Sequence, residues 1–430
     1  MKRDIFKPIY SISYRFLFFL LGSMLLLSSC EKEEDGEPIK ESAPPVIQGI
    51  RVPTKADSTF TKSTLGTTIV IMGDNLAGTQ EVYFNGYKAP VNPAYATKQN
   101  LIIRIPDEVP TVATNPDVPN ELKIVNSAGE TTYEFQVLPP APVVSSISND
   151  WAKAGEKITL YGSYFYFVQD VVFPGKVSAT EYTASPDGTT LTVTVPEGVN
   201  YNDPANAELR VETQSGLSAV NNRLKFNDRN GMMVDWDTRV TYSPFGPLNS
   251  TWGISEDMSK VTDAFQGIAP VDGKYGLVNM PILGNWSWAN AKLVNLGNND
   301  ASFNGGKLFP TTPAELYDPA ASLANFELRV EIAATQPVGD LLLQVWQSNS
   351  GKDFDTAVPL KDFVKSADGK WYTVAVNLGN LAADKGATKM AKYGDFTKAT
   401  ELRVLIQNPT AATIPTTLAI DNIRIVNINK

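Results

Sequence analysis

Gly66-Thr67-Thr68-Ile69-Val70-Ile71-Met72-Gly73 and Gly155-Glu156-Lys157-Ile158-Thr159-Leu160-Tyr161-Gly162 are one motif written twice, about 89 residues apart. The correspondence continues downstream. Val82-Tyr83-Phe84-Asn85-Gly86 falls on Val171-Val172-Phe173-Pro174-Gly175, and Leu101-Ile102-Ile103-Arg104-Ile105-Pro106 falls on Leu191-Thr192-Val193-Thr194-Val195-Pro196. Leu122-Lys123-Ile124-Val125 then meets Leu209-Arg210-Val211-Glu212. The spacing drifts by a few residues, as loop insertions and deletions produce, so the chain carries two copies of one domain. Each copy is a series of short alternating or apolar runs cut by Gly, Pro, Asn or Asp, without a sustained helical period. About 90 residues of such strands predict a β-sandwich.

The order Pro-x-(Ile/Val), Gly-x-x-Ile-x-(Ile/Leu)-x-Gly, Val-x-Phe-x-Gly and (Ile/Val)-Pro resembles IPT/TIG domains, an immunoglobulin-like family. The copies are placed at residues 44–138 and 139–228, the second opening on the extended, stiff junction Pro139-Pro140-Ala141-Pro142. The resemblance implies a spacer, a binding module or a DNA-contacting element. Charge argues against the last. The chain has 37 Lys and Arg against 46 Asp and Glu, a net charge of −9, and no basic tract to meet a phosphate backbone. No nucleic-acid partner is therefore expected, and the pair reads as a rod holding the last domain away from a membrane.

Residues 1–29 join the basic groups Lys2, Arg3, Lys7 and Arg15 to the apolar run Phe16–Leu21 and Met24–Leu27, which reads as a secretory signal too short to span a bilayer. An uncleaved anchor is the alternative. Cys30 is the only cysteine, so no internal disulfide can form. Leu27-Ser28-Ser29-Cys30 resembles a bacterial lipobox, which implies lipidation of Cys30. Residues 30–43 run from Cys30 into Glu31-Lys32-Glu33-Glu34-Asp35, too polar to fold, and read as a tether. That stretch also looks like the export signal of Bacteroidetes surface lipoproteins.

The chain has no histidine, which removes Ser-His and Cys-His nucleophile systems and most zinc ligand sets. Asp235 and Asp237 beside Trp236, with Asp421, are a sparse set for calcium, and ordinary turn solvation accounts for them. Neither a metal nor a cofactor is expected.

Six of the seven Trp lie beyond Arg229, in residues 229–430. Period-two alternation marks strands there. Glu327, Arg329 and Glu331 oppose the apolar residues of Phe326–Ile332, Gln344 and Trp346 oppose Leu343 and Val345, and Arg403, Leu405 and Gln407 oppose Leu402, Val404 and Ile406. This pattern predicts a larger jelly-roll-like β-sandwich with one polar, partly aromatic face, in an all-β chain of three sandwiches. Gly284-Asn285-Trp286-Ser287-Trp288-Ala289-Asn290 reads as a displayed aromatic surface. An indole face stacks on the C–H face of a pyranose while neighbouring amides bond the rim hydroxyls. The glycan-binding candidates are Trp252, Trp286 and Trp288 with Asn285 and Asn290, and as a second choice Trp346 with Gln344 and Arg403. Trp is also a common core residue, so each indole has a competing structural reading. Trp151 and Trp371 are assigned to packing, and Trp236 to core or to the vicinity of an ion.

Glu327-x-Arg329-x-Glu331 resembles the carboxylate strand of retaining jelly-roll glucanases, with Arg where that family has Asp. An arginine between two carboxyls favours ionising both, against the needs of a retaining site. A solvated strand face is the alternative.

Lipobox, tether, repeats and Trp-rich terminal domain together resemble the surface glycan-binding proteins of Bacteroidetes polysaccharide-utilisation loci, especially those with a xyloglucan-binding terminal domain. The resemblance implies a non-catalytic, lipid-anchored outer-membrane protein that captures a β-glucan or xyloglucan-like polysaccharide for a TonB-dependent importer and surface glycosidases. Trp252 and Trp286 match that family's aromatic platform in order and spacing. Asn285 stands where an aromatic residue would be expected. The competing classes are a structural or adhesin-like protein with buried Trp, and a glycosidase using Glu327 and Glu331.

Overall fold

The computed structural model describes residues 39–201, 207–237, 264–286, 292–297, 309–349, 351–383, 389–399 and 401–430. The signal segment, Cys30 and most of the tether lie outside them. The chain is all-β. Among the described residues no helix is long and apolar enough to cross a membrane.

In the first immunoglobulin-like domain, strands Val46–Arg51, Thr68–Asp74 and Asn100–Arg104 form one sheet. Tyr87–Ala89, Glu81–Phe84, Glu121–Asn126 and Gly129–Glu134 form the other. Alternate residues of both sheets, among them Ile69, Ile71, Leu101, Phe84, Leu122 and Ile124, meet in one core, as period-two side chains must when only one face of each sheet is apolar. The second domain repeats the plan around Ile158, Leu160, Leu191, Val171, Phe173 and Val211.

The paired glycines of the motif have a shared cause. A Cβ on Gly73 would lie 1.7 Å from Val46 O, and one on Gly162 would lie 1.9 Å from Val143 O, where the first strand of each domain bulges against its neighbour.

The chain divides at Val137 and Leu138 into two compact units, so the second immunoglobulin-like domain shares a unit with the terminal module. That module is a sandwich of two five-stranded sheets. The first sheet contains Met232–Val234, Gly276–Asn279, Phe326–Ala334, Trp371–Asn377 and Thr417–Asn427. The second contains Lys292–Gly297, Leu342–Asn349, Lys352–Pro359, Ala382–Ala383 and Glu401–Gln407. Leu328, Val330, Ile332, Leu343, Val345, Val404 and Ile406 fill the space between them.

One expectation is corrected here. The outer face of Phe326–Ala334 is not solvated, because all nine residues of that strand are buried. The cover comes from the second domain. Trp151 packs with Met232, Tyr275, Ala333, Trp371 and Ala419, and Thr373 N–H donates to Ser148 O at 2.8 Å. The second repeat is therefore joined to the terminal module rather than standing as a separate spacer.

Candidate functional site

The charged residues of Phe326–Ala334 are held in an ionic cluster at this junction. Arg424 donates to Glu331 Oε2 at 2.5 Å, Glu331 Oε1 at 3.0 Å and Asp150 Oδ1 at 2.7 Å. Arg329 donates to Asp150 Oδ2 at 2.8 Å and to Glu327 Oε2 at 2.9 Å. Burial pushes the Asp150 carboxyl up, but Arg424 and Arg329 outweigh it and hold the group below its ordinary range. Glu331, at 0 % exposure, is pushed up to about 8 by burial and by the charge of Asp150, against the pull of Arg424. Glu327 and Glu331 are thus tied into the joint between two domains; Glu331 is closed off from solvent, whereas Glu327 lines, with Asp150 and Arg329, a cavity of about 380 Å³.

Trp151 is buried, with the guanidinium of Arg229 over its ring at 5.1 Å. Trp371 is buried as well, edge-on to Tyr275 and donating from Nε1 to Ala269 O at 2.7 Å. Trp236 lies in the terminal core. Burial and the charge of Asp272 push Asp421 up to about 10, which keeps it neutral. Among the described residues no three His, Cys, Asp or Glu side chains gather to hold a metal.

The second sheet of the module has a different outer face. Its strand register sets Trp346 between Asp355 and Arg403, and Gln344 between Ala357 and Leu405. Arg403 lies over the Trp346 ring at 4.2 Å and is held by Glu401 Oε1 at 2.6 Å, so one indole face is backed by a fixed cation. Gln344 Nε2 donates to Asp355 Oδ2 at 3.0 Å. A cleft of about 330 Å³ opens beside them, lined by Trp286, Gln344, Trp346, Asp353, Asp355 and Gln407, with Phe354 and Leu405. Gln407 is buried, and its Oε1 has no hydrogen-bond partner among the described residues.

Trp286 reaches this cleft from the Gly284–Trp286 turn, and its backbone explains why it is held there. Asn285 N–H donates to Thr410 O at 2.6 Å and Trp286 N–H to Asn408 O at 3.1 Å. Only glycine fits at position 284, since a Cβ there would lie 2.4 Å from Thr410 O. Asn285 and Trp286 both adopt left-handed φ, 59° and 55°. For a bulky aromatic that conformation is strained, and it persists only where the surroundings impose it. Trp286 stays 50 % exposed.

The first-choice residue Trp286 and the second-choice residues Trp346 and Gln344 thus share one cleft, with Arg403 behind Trp346. Asn285 is exposed beside it without lining it. Trp252, Trp288 and Asn290 lie outside the described residues. Sequence reasoning passed over Asp353, Asp355 and Gln407. Gln407 stands on the strand face already marked by Arg403 and Leu405, and the two Asp alternate on the strand that returns from Trp346.

Immunoglobulin-like domains leading to a sandwich with a solvent-facing indole cleft define a modular surface-binding architecture. Residues 226–427 match the family model described as the surface glycan-binding protein B xyloglucan binding domain. An IPT/TIG domain-containing protein of Bacteroides ovatus is 27 % identical, over 96 % of this chain and 99 % of the relative. The crystal structure of a surface glycan-binding protein B from Prevotella bryantii covers 90 % of this chain and 100 % of its own, with 21 % identity and a TM-score of 0.53. The terminal domain thus matches a glycan-binding family model, an IPT/TIG domain-containing relative matches along nearly its whole length, and the fold is similar to that of a surface glycan-binding protein.

Proposed function

We propose that the protein captures a neutral β-glucan of xyloglucan type at the cell surface and does not cleave it. The observation that carries this is the convergence of Trp286 and Trp346 on one cleft whose other polar lining residues, Asp353, Asp355, Gln344 and Gln407, are carboxylates and amides. Sugar hydroxyls can both donate to and accept from such groups while the indoles take the apolar ring faces. The name of the terminal family supports xyloglucan as the first ligand to try. In this reading residues 44–138 are the first spacer, 139–228 belong functionally with 229–430, and Trp252, Trp288 and Asn290 extend the platform. Cys30 carries the lipid anchor at the outer membrane, and a TonB-dependent importer and surface glycosidases receive the captured chain.

Calorimetric titration of the ectodomain with xyloglucan and with mixed-linkage β-glucan, alongside a reducing-end assay, tests the proposal. Micromolar to millimolar binding, lost in Trp286→Ala and without new reducing ends, is the expected result. Binding that survives Trp286→Ala and Trp346→Ala together would move the site elsewhere. New reducing ends that vanish in Glu331→Gln would restore the glycosidase reading.

A further inference from the structure

The loop after the second copy of the repeat motif carries four aromatic residues in a row, Tyr164-Phe165-Tyr166-Phe167. The first domain provides an internal control for what the fold needs there. Gly73 N–H donates to Gln99 O at 3.0 Å and Leu76 N–H to Lys98 O at 3.1 Å; in the second domain Gly162 N–H donates to Thr189 O at 2.9 Å and Phe165 N–H to Gly188 O at 3.0 Å. The two loops follow one path, and Leu76 and Phe165 are the same buried anchor.

Around that anchor the side chains diverge. Asn75, at φ 59°, occupies a left-handed position that Asn tolerates, and Ala77 and Gly78 complete the loop. The second domain puts Tyr164 at φ 63°, Tyr166, and Phe167 at φ 54° in their places. Bulky aromatics are poor choices for left-handed backbone, and burial does not compensate here, because Tyr164 is 40 % and Phe167 37 % exposed. Tyr166 is fixed by donation from its hydroxyl to Asp187 O at 2.7 Å. A Cβ on Gly188 would lie 2.6 Å from the Tyr166 ring, whereas the first domain, with Ala77 in place of that ring, has Lys98 at the matching position.

We propose that the Tyr164–Phe167 loop is a second contact for the same polysaccharide, an aromatic platform for uncharged sugar rings on the second immunoglobulin-like domain. This rests on the reading of the terminal cleft as a glycan site. The loop has no charged side chain between Gly162 and Gln169, and nearby Asp187 is satisfied by Ser185 and Thr189, so the surface suits a neutral ligand. Three side chains fall far short of the roughly 800 Å² per partner that a stable protein interface buries, which favours a narrow chain over a second protein. A polymer that repeats one unit, when long enough to span the two places, gains apparent affinity from a weak second contact that a short ligand does not feel.

The first domain supplies the test variant, Tyr164→Asn, Tyr166→Ala and Phe167→Gly combined, in the full ectodomain. Affinity is measured for polymeric xyloglucan by affinity electrophoresis and for a short xyloglucan oligosaccharide by calorimetry. The expected result is a three- to tenfold loss for the polymer, on the order of one or two aromatic contacts, with the oligosaccharide and the Tm unchanged. Unchanged polymer affinity overturns the proposal, as does an equal loss for both ligands. If the triple variant does not fold, Phe167→Gly alone, which also relieves a left-handed aromatic, gives the same readout. Trp286→Ala separates the two readings. Full retention of both ligands in that variant rejects the terminal cleft while a loss in the loop variant still stands, and a native protein that binds neither ligand rejects both.

Discussion

The two sheets of the terminal module carry the same message in sequence and meet opposite fates. Phe326–Ala334 alternates apolar residues with Glu327, Arg329 and Glu331, and Leu342–Asn349 alternates them with Gln344 and Trp346. In the first sheet the polar face is roofed by Asp150 and Trp151 and becomes an ionic joint. In the second it stays open and becomes a cleft. Alternation therefore reports which side faces the core and is silent on what lies against the other side.

The largest effect that tests this contrast is on the joint. Asp150→Ala leaves Arg424 and Arg329 buried with one anion fewer, a loss of about 3–5 kcal/mol. The expected outcome is a Tm lowered by about 10 °C in calorimetric melts, with xyloglucan affinity at low temperature unaltered. A Tm change below about 2 °C would mean that the joint does not bear load. On the open face the signature is reversed. Trp286→Ala should weaken xyloglucan by about 2 kcal/mol, roughly thirtyfold in Kd by titration, and leave the melt where it is. Gln407→Leu removes a cleft-lining amide whose buried Oε1 has no partner among the described residues, so binding should fall about fivefold while Tm holds or rises slightly.

The smallest effect is pH-dependent. Glu331 is raised to about 8 from an ordinary 4.5, so between those values the folded state binds more protons than the unfolded one. Stability from this group is full in mild acid and is lost as pH climbs toward 8. Asp421, raised to about 10, acts in the same direction. Melts from pH 5 to pH 8 should decline by several degrees, and Glu331→Gln should flatten part of that slope. An unchanged slope in the variant would assign the dependence to Asp421 or other groups.

Much of the fold was legible because its signals are local. The repeat is legible through its glycines, whose Cβ positions are occupied by a neighbouring carbonyl in both copies. The strands of the terminal module follow from period two. The roof over Glu331 was not legible, since Asp150 and Trp151 lie in the preceding domain, far away in the chain. The site was half legible. Trp286 was marked by its setting and Trp346 by its strand, but nothing local shows that a turn stitched to Asn408 and Thr410 brings them together. Gln407 was hidden for another reason: a glutamine on a strand face looks ordinary until it proves to line the cleft, with its carbonyl buried and without a donor among the described residues.

The joint at Asp150 also bears on how this molecule could be taken apart. Excising residues 229–430 would uncover Trp371 and Tyr275 to water and strip Arg424 of its Asp150 partner. The smallest portable piece therefore begins near Pro139, and transplanting the sugar-binding end onto another scaffold would have to carry its neighbour along.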